Sequence, residues 1–63
     1  MKLSDELKGV LELVSLGKTN EEISVELNYS TRTVERRISN LLKIYQVKNR
    51  ILLAQEYLKE QLV

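Results

Sequence analysis

Five residue types are missing from this sequence: cysteine, histidine, proline, tryptophan and phenylalanine. Without cysteine there is no disulfide framework and no thiolate zinc site. Without histidine the commonest metal ligand and the commonest general base are gone. Ser15, Ser30 and Ser39 have no base placed beside them, so neither an enzyme nor a cofactor is expected. Without proline, and with Gly9 and Gly17 as the only glycines, little interrupts helix formation. Three tyrosines are too few for a stacking platform that binds single strands. No apolar run approaches the ~20 residues of a membrane span. The start, Met1 to Glu6, turns acidic at once and is not a secretory signal. No membrane partner is therefore expected, and the expected location is the cytoplasm. At 63 residues the chain reads as one small domain over 1–63 with no room for a small-molecule pocket.

What is present is charge, unevenly spread. The net charge is +1. Residues 1–30 hold three lysines against six acids, a net −3. Residues 31–50 hold Arg32, Arg36, Arg37, Lys43, Lys48 and Arg50 against Glu35, a net +5. Residues 51–63 return to −1. The basic segment reads either as a solvated helix face or as a surface that meets phosphate.

Periodicity and capping signals predict four helices, at about 5–16, 20–27, 31–45 and 50–61, and an all-α fold. Ser4 caps the first, Leu7, Val10, Leu11 and Val14 give it one apolar face, and Gly17 ends it. Thr19 and Glu22 have capping-box spacing for the second helix. Asn28 tolerates the left-handed conformation that ends it, and Ser30 caps the third. Val34, Ile38, Leu41, Leu42 and Tyr45 form the apolar stripe of the third helix. Asn49 caps the fourth, with Ile51, Ala54 and Leu58 as the expected buried face. The second and third helices meet across Asn28-Tyr29-Ser30. So short a joint forces a steep crossing, as in a helix-turn-helix whose second member is the recognition helix.

At ~100° per residue, Arg32, Arg36, Ser39 and Lys43 fall opposite the apolar stripe of the third helix, with Glu35 and Asn40 at the margins. An α-helix fits the major groove of B-DNA, and arginine forks match guanine edges. Ser30 and Thr33 stand in the first turn, where free amides and the dipole also suit phosphate. Glu35 either accepts from a cytosine amine or pairs along the helix with Arg32 or Ser39. The stem of Arg37 covers the core edge or its head reaches a base, the first being favoured. Lys48 and Arg50 anchor the DNA backbone or cap the third helix. On the fourth helix Leu53 and Tyr57 lie four apart on a flank with Leu52 on another side. These three are the expected interface of a symmetric homodimer, weak without DNA. The same surplus of apolar residues fits an alternative, a protein-interaction or sigma-factor-like adaptor module of the same fold.

Several segments, in order, resemble the LuxR/GerE-type helix-turn-helix domains of bacterial transcription regulators. Thr19-Asn20-Glu21-Glu22-Ile23-Ser24 is similar to the family's Ser-Asn-Lys-Glu-Ile-Ala. Leu27-Asn28-Tyr29-Ser30 is similar to its Leu-x-Ile-Ser, Thr33-Val34-Glu35 to its Thr-Val-Lys, and Ile38-Ser39-Asn40-Leu41-Leu42 to its Val-Ser-Asn-Ile-Leu. Val47, Arg50 and Ala54 match the pattern that opens the fourth helix. The resemblance covers about residues 3–58. It implies a four-helix domain that binds double-stranded DNA through helix three, often pairs through helix four, regulates transcription in the bacterial nucleoid and has RNA polymerase as a candidate partner. Carried over, Thr33 matches a phosphate-contacting threonine. Glu35, Arg36 and Ser39 match positions facing bases or backbone, and Lys43 matches a basic backbone-facing position. The chain departs from the family where Glu35 replaces lysine, Arg37 replaces histidine, Glu6-Leu7 replace Arg-Glu and Gly9 replaces glutamate. The usual Lys-Leu-Gly-Val reads Ile44-Tyr45-Gln46-Val47. Family members usually carry a receiver or ligand domain upstream, so the expectation here is a stand-alone regulator or an excised domain.

Overall fold

The computed structural model describes residues 3–62, which form four helices: α1 (Asp5–Ser15), α2 (Asn20–Leu27), α3 (Thr31–Tyr45) and α4 (Arg50–Gln61). The fold is all-α, with no strand among the described residues. Each helix begins where a side chain satisfies a first-turn amide that has no partner inside the helix. Ser4 Oγ accepts from the Leu7 amide at 3.3 Å. Thr19 and Glu22 close a reciprocal capping box, at 3.2 Å for the Glu22 amide to Thr19 Oγ1 and 2.8 Å for the Thr19 amide to Glu22 Oε1. That backbone bond holds the Glu22 carboxyl below its usual range. Ser30 Oγ accepts from the Thr33 amide at 3.1 Å and Asn49 Oδ1 from the Leu52 amide at 2.9 Å.

Three helices stop on left-handed residues: Gly17 (φ 82), Asn28 (φ 61) and Gln46 (φ 57). At each the next residue's amide turns back into the final turn. The Lys18 amide reaches the Leu13 carbonyl at 3.1 Å, Tyr29 reaches Ser24 at 3.0 Å and Val47 reaches Leu42 at 3.0 Å. Gln46 is the exception in residue type, because a glutamine there carries the steric penalty that glycine avoids.

The core is Val10, Leu11 and Val14 of α1, Ile23 of α2, Val34, Ile38 and Leu41 of α3, and Leu53 of α4. Leu3, Leu7, Leu27, Tyr29, Tyr45, Val47 and Tyr57 pack around it. The joint Asn28-Tyr29-Ser30 lets α2 and α3 pack directly on each other, while α1 touches all three other helices. No helix among the described residues is long and apolar enough to cross a membrane.

Helix α4 is turned relative to the expectation. Leu53 is fully buried and Tyr57 packs on the core, whereas Ile51 is 68% and Leu58 49% exposed. Ala54 is half-buried between the two stripes. The run Ile51-Leu52-Leu53-Ala54 is apolar all round, so a helical wheel alone ranks no face above another. Arg50 fixes the rotation. Its guanidinium donates to Asn20 Oδ1 at 2.7 Å and to the Lys18 carbonyl at 2.9 Å, reaching inward to the α1–α2 joint. Leu53 and Tyr57 share the face of Arg50 at spacings of three and four and turn inward with it, while Glu60, on the same face one turn further, stays exposed at the helix end. Glu60 accepts from the Tyr45 hydroxyl at 3.0 Å and ties the end of α3 to the end of α4. Arg50 thus neither caps α3 nor remains free for a DNA backbone.

Candidate nucleic-acid interface

The Ser30 cap and the apolar stripe of α3 together fix which way its polar residues point. With Val34, Ile38 and Leu41 sealed in the core, Arg32, Glu35, Arg36, Ser39, Asn40 and Lys43 are all exposed. Among the described residues none of Arg32, Arg36 and Lys43 has an acidic partner within 4.0 Å, so three cations stand unneutralised on one face. Glu35 likewise forms no ion pair there, which leaves its carboxylate oxygens open to donors from outside. Lys48 is exposed in the α3–α4 joint.

The first turn of α3 is more engaged. Ser30 Oγ accepts the Thr33 amide and donates to Thr33 Oγ1 at 3.0 Å, so its proton is used within the cap. Thr33 accepts that bond, and its own hydroxyl proton remains available to an external acceptor. Thr33, Arg36, Arg37 and Asn40 line a shallow concavity along one flank of the helix.

Arg37 does not join the outward cations. Its Nη2 lies 2.6 Å from Glu6 Oε2 in the first turn of α1, and its guanidinium sits 5.7 Å from the centroid of the Tyr29 ring. Its Nε is buried without an acceptor among the described residues. The stem of Arg37 therefore runs along the core edge, as favoured, but its head is claimed by an acid 31 residues away, which no local spacing reveals.

The rotation of α4 takes two of the three residues expected at a dimer interface into the domain. Leu53 lies inside the domain and Tyr57 is largely covered, so neither is offered to a partner; Leu52 is 37% exposed. The outward stripe is instead Ile51, Leu58 and Leu62, with Ala54 between them. Among the described residues no group of three or more His, Cys, Asp or Glu side chains converges as metal ligands.

Four capped helices, a three-residue joint and a basic outer face on the longest helix define a helix-turn-helix domain of the nucleic-acid-binding class. Residues 1–56 match the model of the bacterial regulatory proteins of the luxR family, and the chain belongs to that family. The family is one of DNA-binding regulators of transcription and not of enzymes. The chain is 41% identical over 63 residues to a probable transcriptional regulator, ycf29, of Pyropia yezoensis, covering all of this chain and 28% of that protein. It is 49% identical over 49 residues to the transcriptional regulatory protein DesR of Bacillus subtilis, covering 78% of this chain and 25% of that protein. It is 43% identical over 56 residues to the ycf29 protein of Porphyra purpurea, covering 89% and 27%. The chain thus spans little more than a quarter of the length of these relatives.

Proposed function

We propose that this domain reads a specific double-stranded DNA sequence by laying α3 in the major groove, and thereby regulates transcription. The observation that carries the reading is the set of cations, Arg32, Arg36 and Lys43, that have no acidic partner among the described residues and stand on the face of α3 opposite the core. Arg36, Ser39 and Asn40 are the base-facing candidates, and Glu35 accepts from cytosine if it enters the groove. Thr33, Lys43 and Lys48 hold the backbone, with Arg32 and the capped first turn at Ser30 beside them. The domain over residues 1–63 is the DNA-reading unit, and its place of action is the cytoplasm, at the nucleoid.

Selection of bound duplexes from a random pool tests sequence preference directly. On the selected site, Arg36→Ala should lower affinity by about 5- to 150-fold, the range of a lost base contact. Lys43→Ala should weaken all sequences alike and reduce the salt slope by about one. No enrichment from the pool, or unchanged binding in both variants, overturns the reading.

A second element belongs to the same reading. The outward stripe of α4, with Ile51 at 68%, Leu58 at 49% and Leu62 at 87% exposure, supports pairing of two copies across inverted half-sites about one helical turn apart. Ile51→Asp with Leu58→Asp should abolish cooperative binding of two half-sites while leaving a single half-site bound. If that stripe instead serves an adaptor role, RNA polymerase being the candidate partner, the double variant keeps half-site cooperativity and loses activation.

A further inference from the structure

We propose that Glu6, a residue of α1 outside the DNA-facing surface, sets the DNA affinity of α3 by withholding Arg37 from phosphate. The inference rests on the DNA reading proposed above and adds to it an internal competitor for one of the cations.

Arg37 lines the same concavity as Thr33, Arg36 and Asn40, so it stands at the rim of the proposed DNA face. Its guanidinium is nonetheless turned toward α1, where Glu6 Oε2 takes Nη2 at 2.6 Å, and it rests near the Tyr29 ring of the helix-turn-helix joint. A carboxylate and a phosphate oxygen offer a guanidinium the same charge-assisted bond. Glu6 therefore competes with phosphate for the guanidinium, taking one of its donors and drawing its head toward α1.

The pair is placed so that it can open. The side chains of Arg37 and Glu6 are 31% and 57% exposed, and ion pairs this wet are held weakly. Arg32, Arg36 and Lys43 have no such partner among the described residues, which singles out Arg37 as the neutralised cation of α3. The pair also spans the first turn of α1, the joint and the middle of α3, so the withheld cation sits where three elements meet.

Removing the carboxylate should free one cation for one further phosphate. Counterion release then steepens the dependence of log affinity on log salt by about 0.9. The gain of Glu6→Gln over the parent should therefore shrink about 3.5-fold between 50 and 200 mM salt.

The test is a two-by-two comparison of Glu6→Gln and Arg37→Met on a duplex of random sequence, titrated against salt. The expected result is tighter binding and a steeper slope for Glu6→Gln when Arg37 is present, and neither when residue 37 is methionine. The same gain in both backgrounds means that Glu6 acts only through its own charge, and overturns the proposal, as does no gain at all. Circular dichroism at the assay temperature checks folding. Should Glu6→Gln lose helicity, Glu6→Asp carries the same expectation, since it keeps the acid at the helix start and withdraws it from Arg37 by one methylene. Arg32→Ala and Lys43→Ala, at the two backbone-facing cations, separate the two levels in the same assay. If they do not weaken binding, the DNA reading itself fails; if they do and the Glu6 effect is absent, only this inference fails.

Discussion

Truncating Leu53 to alanine should unfold much of the protein, while the same truncation at Ile51, two residues earlier, should leave it nearly unchanged. Leu53 is fully buried and contacts a core drawn from all four helices, whereas Ile51 is 68% exposed. A fully buried leucine cut to alanine costs about 2.7–5 kcal/mol, part lost transfer and part cavity. A single core in a chain below about 70–80 residues supplies roughly 3–5 kcal/mol in total. The Leu53 variant is therefore left close to balance between folded and unfolded at 25 °C. For a domain of this size each kcal/mol moves Tm by about 4–8 °C, so the loss amounts to at least about 11 °C. Ile51→Ala, a surface change, should stay within about 0.5 kcal/mol. Urea and thermal unfolding followed by far-UV circular dichroism measure both, at protein concentrations low enough to keep the chain monomeric. A loss at Ile51 equal to or larger than that at Leu53 would mean that α4 presents its other face to the core, and would refute the rotation that Arg50 imposes.

Gln46→Gly should stabilise the domain by up to about 1 kcal/mol in chemical denaturation, because Gln46 holds a left-handed backbone that glycine adopts without penalty. Gly9→Ala should stabilise it by about 0.5–1 kcal/mol, since Gly9 lies inside α1 and an added Cβ meets only Leu27 methyls at 3.6 and 3.7 Å, ordinary contact distances. Burial, followed by the bond to Glu60, pushes the Tyr45 phenol up to about 12. The folded state therefore keeps a proton that the unfolded chain gives up near 10, so this contribution is complete below about pH 10 and lost as pH rises toward 12. Unfolding measured across that window should show the alkaline loss in the parent and a smaller one in Tyr45→Phe.

Local chemistry was readable from the sequence wherever it is confined to a few residues. Ser4, Thr19 with Glu22, Ser30 and Asn49 each cap the helix they were expected to cap, and three of the four helices keep their expected bounds. The fourth, α1, stops one residue earlier, at Ser15. The outward face of α3 was readable because its polar and apolar sectors are sharply divided. Helix α4 was not, because four consecutive apolar residues give no preferred side. A cue lay at Arg50, whose inward reach fixes the rotation, but its partners at Lys18 and Asn20 are some thirty residues distant. The Glu6–Arg37 pair was hidden for the same reason, since it joins helices that are neighbours only in the folded chain. Gln46 shows the limit of residue preference: the tertiary packing of Tyr45 and Val47 holds a turn that glutamine does not favour.

The family match ends at residue 56, in the middle of α4, yet the next turn still carries Tyr57 onto the core and Glu60 onto the Tyr45 hydroxyl. Contacts that hold the domain together thus run past the segment that defines the family. A domain excised at the match boundary, for fusion to another protein, would keep every residue of the proposed DNA-facing surface and lose the clasp that ties the end of α3 to the end of α4.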